Sequence, residues 1–454
     1  MQTRLTIAFH ALSILLILSH LAALILPEPV AWGLWPFTYL PGAWRWIWLG
    51  LAVIGCLPPV TRRLSDVVVS AARRWPRWGT AGLALASMGL FWRFRLVHTR
   101  WGDAYILANA IPHPEVKLTY NWQAPLTVFV HAKLWAVGHQ LLGWNDAMPA
   151  YALTSIVAGG VFVVLLARLA RDISPDRSTA AMTFGLVATL GTMQLFFGYV
   201  ENYTLPTVGM LLYLWLGWRC VRGQTDLIWP ATVLAVVHGL HPSTIVLAPS
   251  LLYLGWTWAR QGQPGRYGAA AWRIALPMIL VATGVIVLME RGGHGLTYLL
   301  TSDRPGGGDG RWFVPLWETT TRWEHYTMFS WGHLIDMINE QLLTAPAAIP
   351  GLLLLLAMGN IRRQVTPWTR FLLLVAGFYL LFTWTWNPDY GGQRDWDLFS
   401  PVAIPLTLLF VDRLRAASPE PDSFRRAALA LIIAQGFHTL AWIYQNTLPW
   451  SWPE

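Results

Sequence analysis

The chain has 454 residues, of which 55% are hydrophobic and only 12% charged, too apolar and too poor in charge for a soluble globular protein. Hydrophobic runs recur from end to end, and the longest polar interruptions, 98–147 and 291–342, are each roughly 50 residues, which leaves no room for a sizeable soluble domain. The net charge of +9 suits nucleic acid or acidic lipid as a partner only if its distribution has no other explanation.

A span needs about 20 apolar residues to cross about 30 Å of hydrocarbon. By that measure the sequence predicts about thirteen spans, near 5–26, 42–58, 78–97, 148–168, 179–199, 203–218, 227–240, 243–259, 274–290, 343–359, 370–386, 398–412 and 427–445. The fold class is therefore an all-α, polytopic transmembrane protein. Its parts are two N-terminal helices (1–77), a core (78–290) with a first outer loop (93–147), an outer loop and surface helix (291–342), and C-terminal helices (343–454). The first run follows Arg4 and is not followed by a small-residue cleavage site, so it reads as a retained anchor. Trp44, Trp46, Trp48, Trp78, Trp92 and Trp101 lie near span ends, where indole has one apolar edge and one wet N–H. Cys56 and Cys220 sit near the inner ends of spans and read as core residues, with no disulfide.

The runs 227–240 and 243–259 meet at Gly239-Leu240-His241-Pro242. A single crossing there would put Arg260, Arg266 and Arg273 on the opposite side from Arg219 and Arg222, against the positive-inside tendency, so the two runs form a pair. With the N-terminus inside, most of the arginines fall in inner loops, among them Arg62, Arg63, Arg73, Arg74, Arg77, Arg362, Arg363, Arg413 and Arg415. Orientation then accounts for the basic excess, and no nucleic-acid partner is needed.

The unusual polar stretches collect on the outer side. They are 93–147 with Asp103, the turn Tyr199-Val200-Glu201-Asn202-Tyr203, the turn at His238 and His241, the segment 291–342, and Asn387–Asp397. Within 331–343, Trp331, Leu334, Ile335, Ile338, Leu342 and Leu343 recur at helical spacing, which predicts a helix on the outer surface. The run Asp303-Arg304-Pro305-Gly306-Gly307-Gly308-Asp309-Gly310 reads as a flexible loop and lacks the Gly-Lys-Ser/Thr ending of a phosphate-binding loop.

An acid at the membrane edge is made more basic by partial desolvation, and Asp103 is the candidate catalytic base. Its structural alternative is a cap on a helix over 104–111. Asp103 in the first large outer loop, Tyr105 two residues on, then Tyr120 and Ala124-Pro125-Leu126 entering an apolar helix that ends at Gly143 form a pattern that resembles the GT-C superfamily of integral membrane glycosyltransferases. Bacterial protein O-mannosyltransferases and aminoarabinose transferases belong to it. The resemblance covers 78–260 in motif order. It implies a many-helix enzyme with its site on the outer face, a polyprenyl-phosphate sugar as donor, and a first-loop acid, here Asp103, that activates the acceptor. The family often pairs two acids at this point, whereas Gly102 and Ala104 flank Asp103 here.

The remaining candidates are substrate-binding. Glu201 could hold a sugar hydroxyl or a divalent metal, against the alternative of a solvated turn. His238 and His241 share a helical face if the helix runs through them, and could bind a lipid phosphate or ligate a metal with Glu201, although Pro242 predicts a break. Arg394, followed by Asp395 and Asp397, could grip a phosphate, or pair locally with those acids. Arg304, Arg311, His325 and His333 are lesser candidates. The sequence contains no nucleophilic Ser or Cys motif and no His-Glu-x-x-His spacing. The chemistry expected is an inverting displacement from a polyprenyl-phosphate donor to an acceptor hydroxyl on a lipid, glycan or protein. The expected place is the inner (plasma) membrane with the site periplasmic or extracellular. The rival is a transporter or flippase of a lipid-linked or amphipathic solute, which would also use interrupted spans.

Overall fold

The computed structural model describes residues 2–76, 78–113, 118–261, 266–300, 310–359, 365–418 and 420–450. Arg77, Arg362, Arg363, and the glycine-rich loop with Arg304 up to residue 309 lie outside the described residues. Helices form wherever the apolar runs predict them. The N-terminal part holds α1 (Gln2–Ser19), the short α2 (Glu28–Ala31), α3 (Gly42–Gly55), α4 (Pro58–Arg73) and α5 (Gly79–Arg93). The core continues with α6 (Ala104–Ala110), α7 (Pro125–Leu142), α8 (Met148–Ile173), α9 (Arg177–Ala188), α10 (Thr204–Val221), α11 (Ile228–Leu240), α12 (Ala248–Arg260) and α13 (Tyr267–Arg291). After α14 (Leu296–Leu300) come α15 (Trp331–Thr344), α16 (Ala348–Ala357), α17 (Pro367–Thr385), α18 (Trp396–Phe399), α19 (Ala403–Ala417) and α20 (Pro421–Asn446). Among the described residues, β pairing is confined to one isolated bridge between Phe313 and Trp386.

Among the described residues, five helices are long and apolar enough to cross a membrane alone, or up to seven elements if each of two bent pairs is one span. The other expected spans are helices that are shorter, or whose aromatic and polar residues lower their hydropathy. The pair α15 and α16 bends by 102°, which turns the helix predicted over 331–343 away from the run that follows it. The predicted break at His241-Pro242 is present: α11 stops at Leu240, His241 is extended (φ −153°, ψ 120°), and a 3₁₀ turn, Pro242–Leu247, leads into α12.

The local chemistry sets the ends. Asp176 caps α9 by accepting from the Ser178 and Thr179 N–H groups, and Thr366 and Thr369 form a reciprocal capping box on α17. α7 opens on Pro125 and closes on Gly143 at φ +68°, the left-handed conformation suited to glycine.

One core joins α5, α8, α10, α12, α17 and α19 around Phe162, Phe196, Phe371 and Phe399. A second joins α1, α9, α19 and α20 around Phe9, Phe410 and Phe437. α5 reaches α8 closely because Gly159 and Gly160 lack a β-carbon: one at Gly159 would lie 2.6 Å from the Phe91 ring. A third, smaller core around Trp101, Tyr151, Tyr199, Trp396 and Trp442 ties the first loop to the chain ahead of α10 and α19. It is this core that brings distant polar segments together. Cys56 and Cys220 are free and buried.

Candidate active site

Asp103 occupies the N-cap position of α6, yet its side chain makes no capping hydrogen bond. The carboxylate instead turns to two donors from elsewhere. Tyr390 O–H donates to Oδ1 at 3.0 Å, and Gln123 Nε2 donates to Oδ2 at 3.4 Å. Gln123 is set by its own N–H donating to Asn121 Oδ1 at 2.7 Å, just before α7 begins. In place of a helix cap, Asp103 is an acid held by donors from two other segments.

Glu201 is not on a solvated turn; it is 3% exposed. Its Oε1 accepts the Asp103 N–H and its Oε2 accepts the Asn202 N–H at 2.9 Å. Gly102 makes this approach possible. Its φ is +45°, and a β-carbon there would lie 2.6 Å from Glu201 Oε1. The second acid beside Asp103 therefore comes from the turn ahead of α10 rather than from the adjacent residue.

The loop 387–397 closes the site from the other side. Tyr390 N–H donates to Asp395 Oδ2 at 2.7 Å, and Gly392 N–H donates to Asp336 Oδ2 at 3.1 Å. Gln393 Nε2 donates to Glu28 Oε1 at 2.7 Å, and the Arg394 carbonyl accepts the Gly102 N–H at 2.9 Å. The Arg394 guanidinium lies 4.5 Å over the Tyr390 ring.

These groups surround a cavity of about 710 Å³, within the usual size range of small-molecule sites. Its lining includes Asp103, Glu201, Asp389, Asp395 and Asp397, with Gln123, Tyr390 and His241. Ile245, Val246, Phe313, Phe378, Leu381, Phe382 and Trp386 line it as well. Of the predicted residues, Asp103, Glu201, His241 and Asp395 meet here. Arg394 stands just behind Tyr390 and is not part of the wall. Tyr105 is 54% exposed and outside it. His238 lies within α11, outside the wall, with Nδ1 against Thr244 Oγ1 at 2.8 Å. His325 sits beside the site, Nε2 against the Asp389 carbonyl at 2.9 Å. His333 is buried between the Tyr326 and Trp384 rings, and Arg311 faces Glu324.

Crowding of carboxyls in a poorly solvated space governs their ionisation. Burial raises Asp103, against the donors Tyr390 and Gln123 and the charge of Arg394, which lower it. Burial, then the charges of Asp397 and Asp103, hold Glu201 well above the usual carboxylate range. Burial pushes Asp397 up to about 8, and Asp395 well above its ordinary value. Asp397 therefore keeps its proton at neutral pH, and the carboxyls of the cluster titrate as a unit. His241 is held down to about 4 by burial, so it is neutral. Its Nδ1 accepts the Ser243 N–H, which assigns the ring proton to Nε2 and makes Nε2–H a donor.

Among the described residues, no group of three or more His, Cys, Asp or Glu side chains is placed to hold an ion. Glu201 is committed to two backbone N–H groups, and the break after Leu240 separates His238 from His241.

The helix order and the cavity can be set beside known structures. ArnT from Cupriavidus metallidurans in the apo state, an aminoarabinose transferase, aligns with a TM-score of 0.50 over 81% of this chain and 76% of its own, at 13% identity. The chain shares the overall fold of that structure. The same ArnT bound to undecaprenyl phosphate aligns at a TM-score of 0.45 and 12% identity, over 82% of this chain and 78% of that one. An Archaeoglobus fulgidus oligosaccharyltransferase, tethered to an acceptor peptide, aligns at 0.45 and 13% identity, over 82% of this chain and 55% of its own. No family model and no curated sequence matches the chain.

Sequence reasoning missed Tyr390 and Gln123. Both are uncharged, and the only signal that marked them was their place in the same polar interruptions as Asp395 and Asp103.

Proposed function

We propose that the chain is a membrane glycosyltransferase that moves a sugar from a polyprenyl-phosphate donor to an acceptor hydroxyl, with Asp103 as base. The observation that carries this reading is one cavity joining a positioned carboxylate to an apolar, aromatic wall. A lipid-linked sugar needs both.

The isoprenoid part of the donor lies against Ile245, Val246, Phe378 and Leu381, and the sugar points toward Asp103. Asp103 takes the proton from the acceptor hydroxyl while that oxygen bonds to the anomeric carbon. The bond from that carbon to the phosphate oxygen breaks, and its electron pair leaves on the polyprenyl phosphate. A single displacement inverts the anomeric centre. Burial sharpens the base, and Tyr390 and Gln123 fix its lone pairs toward the acceptor. Glu201 is a positioning residue that acts through the Asp103 N–H. His241 Nε2–H hydrogen-bonds the leaving phosphate, and the charge of Arg394 behind Tyr390 offsets what develops there.

The arginine-rich loops put the opposite helix ends in the cytoplasm, so the cavity opens on the periplasmic or extracellular side of the inner (plasma) membrane. The carrier reading is weaker, because Asp103, Glu201, Asp395 and Asp397 gather in one cavity at one end of the helices, whereas carriers hold their sites near the bilayer midplane. The test is transfer of labelled sugar from undecaprenyl-phosphate donors to an extract of envelope lipids, glycans and proteins by the purified chain. Transfer by the wild type and not by Asp103→Asn supports the proposal; equal transfer by both removes Asp103 from the chemistry.

A further inference from the structure

A second cavity, of about 740 Å³, occupies the other end of the same helices. Glu201 and Tyr203, entering α10, line the acidic cavity, whereas Trp218, Val221 and Arg222 at the end of α10 line the second. α17 runs the other way, with Pro367 and Trp368 at the second cavity and Leu381 and Thr385 at the first. α10 has 18 residues, a rise of about 27 Å, so the cavities stand about one hydrocarbon thickness apart.

Their chemistry is opposite. The first has five carboxylate residues in its wall; the second has Arg222, Arg413 and Arg415, with Arg415 Nη1 donating to the Ile173 carbonyl. Two carboxylates share its wall, and both are engaged within the protein. Asp412 Oδ2 accepts from Arg413 Nη2 at 2.6 Å and Thr369 Oγ1 at 2.8 Å, and Asp172 Oδ2 accepts the Trp215 indole N–H at 2.8 Å. Arg413 is 4% exposed and so is built into the wall. Ser418, 5% exposed, also lines the cavity, and its Oγ has no hydrogen-bond partner among the described residues. A buried hydroxyl without a partner beside a surplus of guanidinium donors calls for an anionic acceptor. Trp218, Trp368 and Phe424 complete the wall with apolar surface.

We propose that this basic cavity binds a phosphate ester. Arg222 and Arg415 hold the phosphate oxygens, Ser418 Oγ–H donates to one of them, and the aromatic surface takes the organic part. Its source is either the headgroup of an anionic phospholipid or a small free phosphate ester. The inference is independent of sugar transfer at the acidic cavity.

The test is native mass spectrometry of the delipidated full chain with phosphatidylglycerol, with phosphatidylcholine, and with glycerol 3-phosphate. The variants are Arg222→Gln with Arg415→Gln, and the single exposed change Arg222→Glu, which decides the matter if the double variant does not fold. Retention of phosphatidylglycerol over phosphatidylcholine, reduced about tenfold in the variants as expected for loss of a charge-assisted hydrogen bond, supports the site with a lipid as its source. Binding of glycerol 3-phosphate without that lipid preference, reduced likewise, supports the site with a free ester as its source. Binding of either probe that is unchanged in the variants, or no binding of either by the wild type, overturns the proposal.

Discussion

Tyr390 donates its phenolic proton to Oδ1 of Asp103 at 3.0 Å although 287 positions separate them in the chain. The bond makes the first loop and the loop ahead of α19 one structural unit. Asp103→Asn keeps the shape and removes the base, so transfer should fall about 10²–10⁴-fold, with thermal stability little changed. A loss below about tenfold would remove the role given to Asp103.

Tyr390→Phe tests the same bond through pH. The phenol lowers Asp103 by favouring its ionised form. Without it the carboxylate protonates at higher pH, and the acidic limb of the pH–rate profile should move upward. An unmoved limb would mean that the two side chains are not coupled in solution.

Two glycines with positive φ separate strain from collision. Gly143→Ala faces open space at φ +68°, so it should cost only about 1 kcal/mol of stability. Gly102→Ala, at φ +45°, also pushes a methyl into Glu201; its cost should be larger, about 2–3 kcal/mol, with transfer impaired as well. Denaturation midpoints and initial rates measure both, and equal effects at the two positions would contradict the contact.

Stability should fall as pH rises through the range where Asp397 is protonated only in the folded chain. Its carboxyl is held up to about 8 by burial, against an ordinary value of 3.8. Between those values the folded state binds the extra proton, so each pH unit costs about 1.4 kcal/mol per proton retained. Asp397→Asn should flatten the decline between pH 5 and pH 8. The readout is the melting temperature against pH in a fixed detergent, and parallel curves for the two proteins would refute the assignment.

The apolar wall predicts selectivity for lipid length. Phe378→Ser with Leu381→Ser removes two lining side chains, each worth about 1.5–3 kcal/mol when fully covered. KM for a long polyprenyl donor should rise tenfold or more, roughly, with kcat retained. KM for a donor with one or two isoprene units should stay the same.

The positions of the helices were legible because membrane chemistry writes them as long apolar runs, and even the break at His241-Pro242 was visible in Pro242 and in the arginines on either side. The number of elements able to cross alone was not, because the bend between α15 and α16 and the shortness of α11 depend on packing. For the site, the arginine bias placed Asp103, Glu201, His241 and Asp395 on one side of the membrane. Their meeting depends on contacts that no spacing encodes, such as Glu201 reaching the Asp103 N–H. Arg394 and Tyr105 lie close in sequence to Asp395 and Asp103 and carry suitable chemistry, and neither lines the cavity. Neutral hydrogen-bond donors such as Tyr390 and Gln123 leave no charge pattern to follow.

The contact between Gly102 and Glu201 also constrains the order in which the sequence can change. One carboxylate oxygen already fills the space where any other residue at 102 would place its β-carbon. An acid at position 102 becomes acceptable only after Glu201 has shortened, and a shortened residue 201 leaves the Asp103 N–H without its acceptor until something else supplies one. Homologues should therefore fall into two groups, those with glycine before the acid and a distant glutamate, and those with an acid at 102 and a small residue on the turn, with few chains between them.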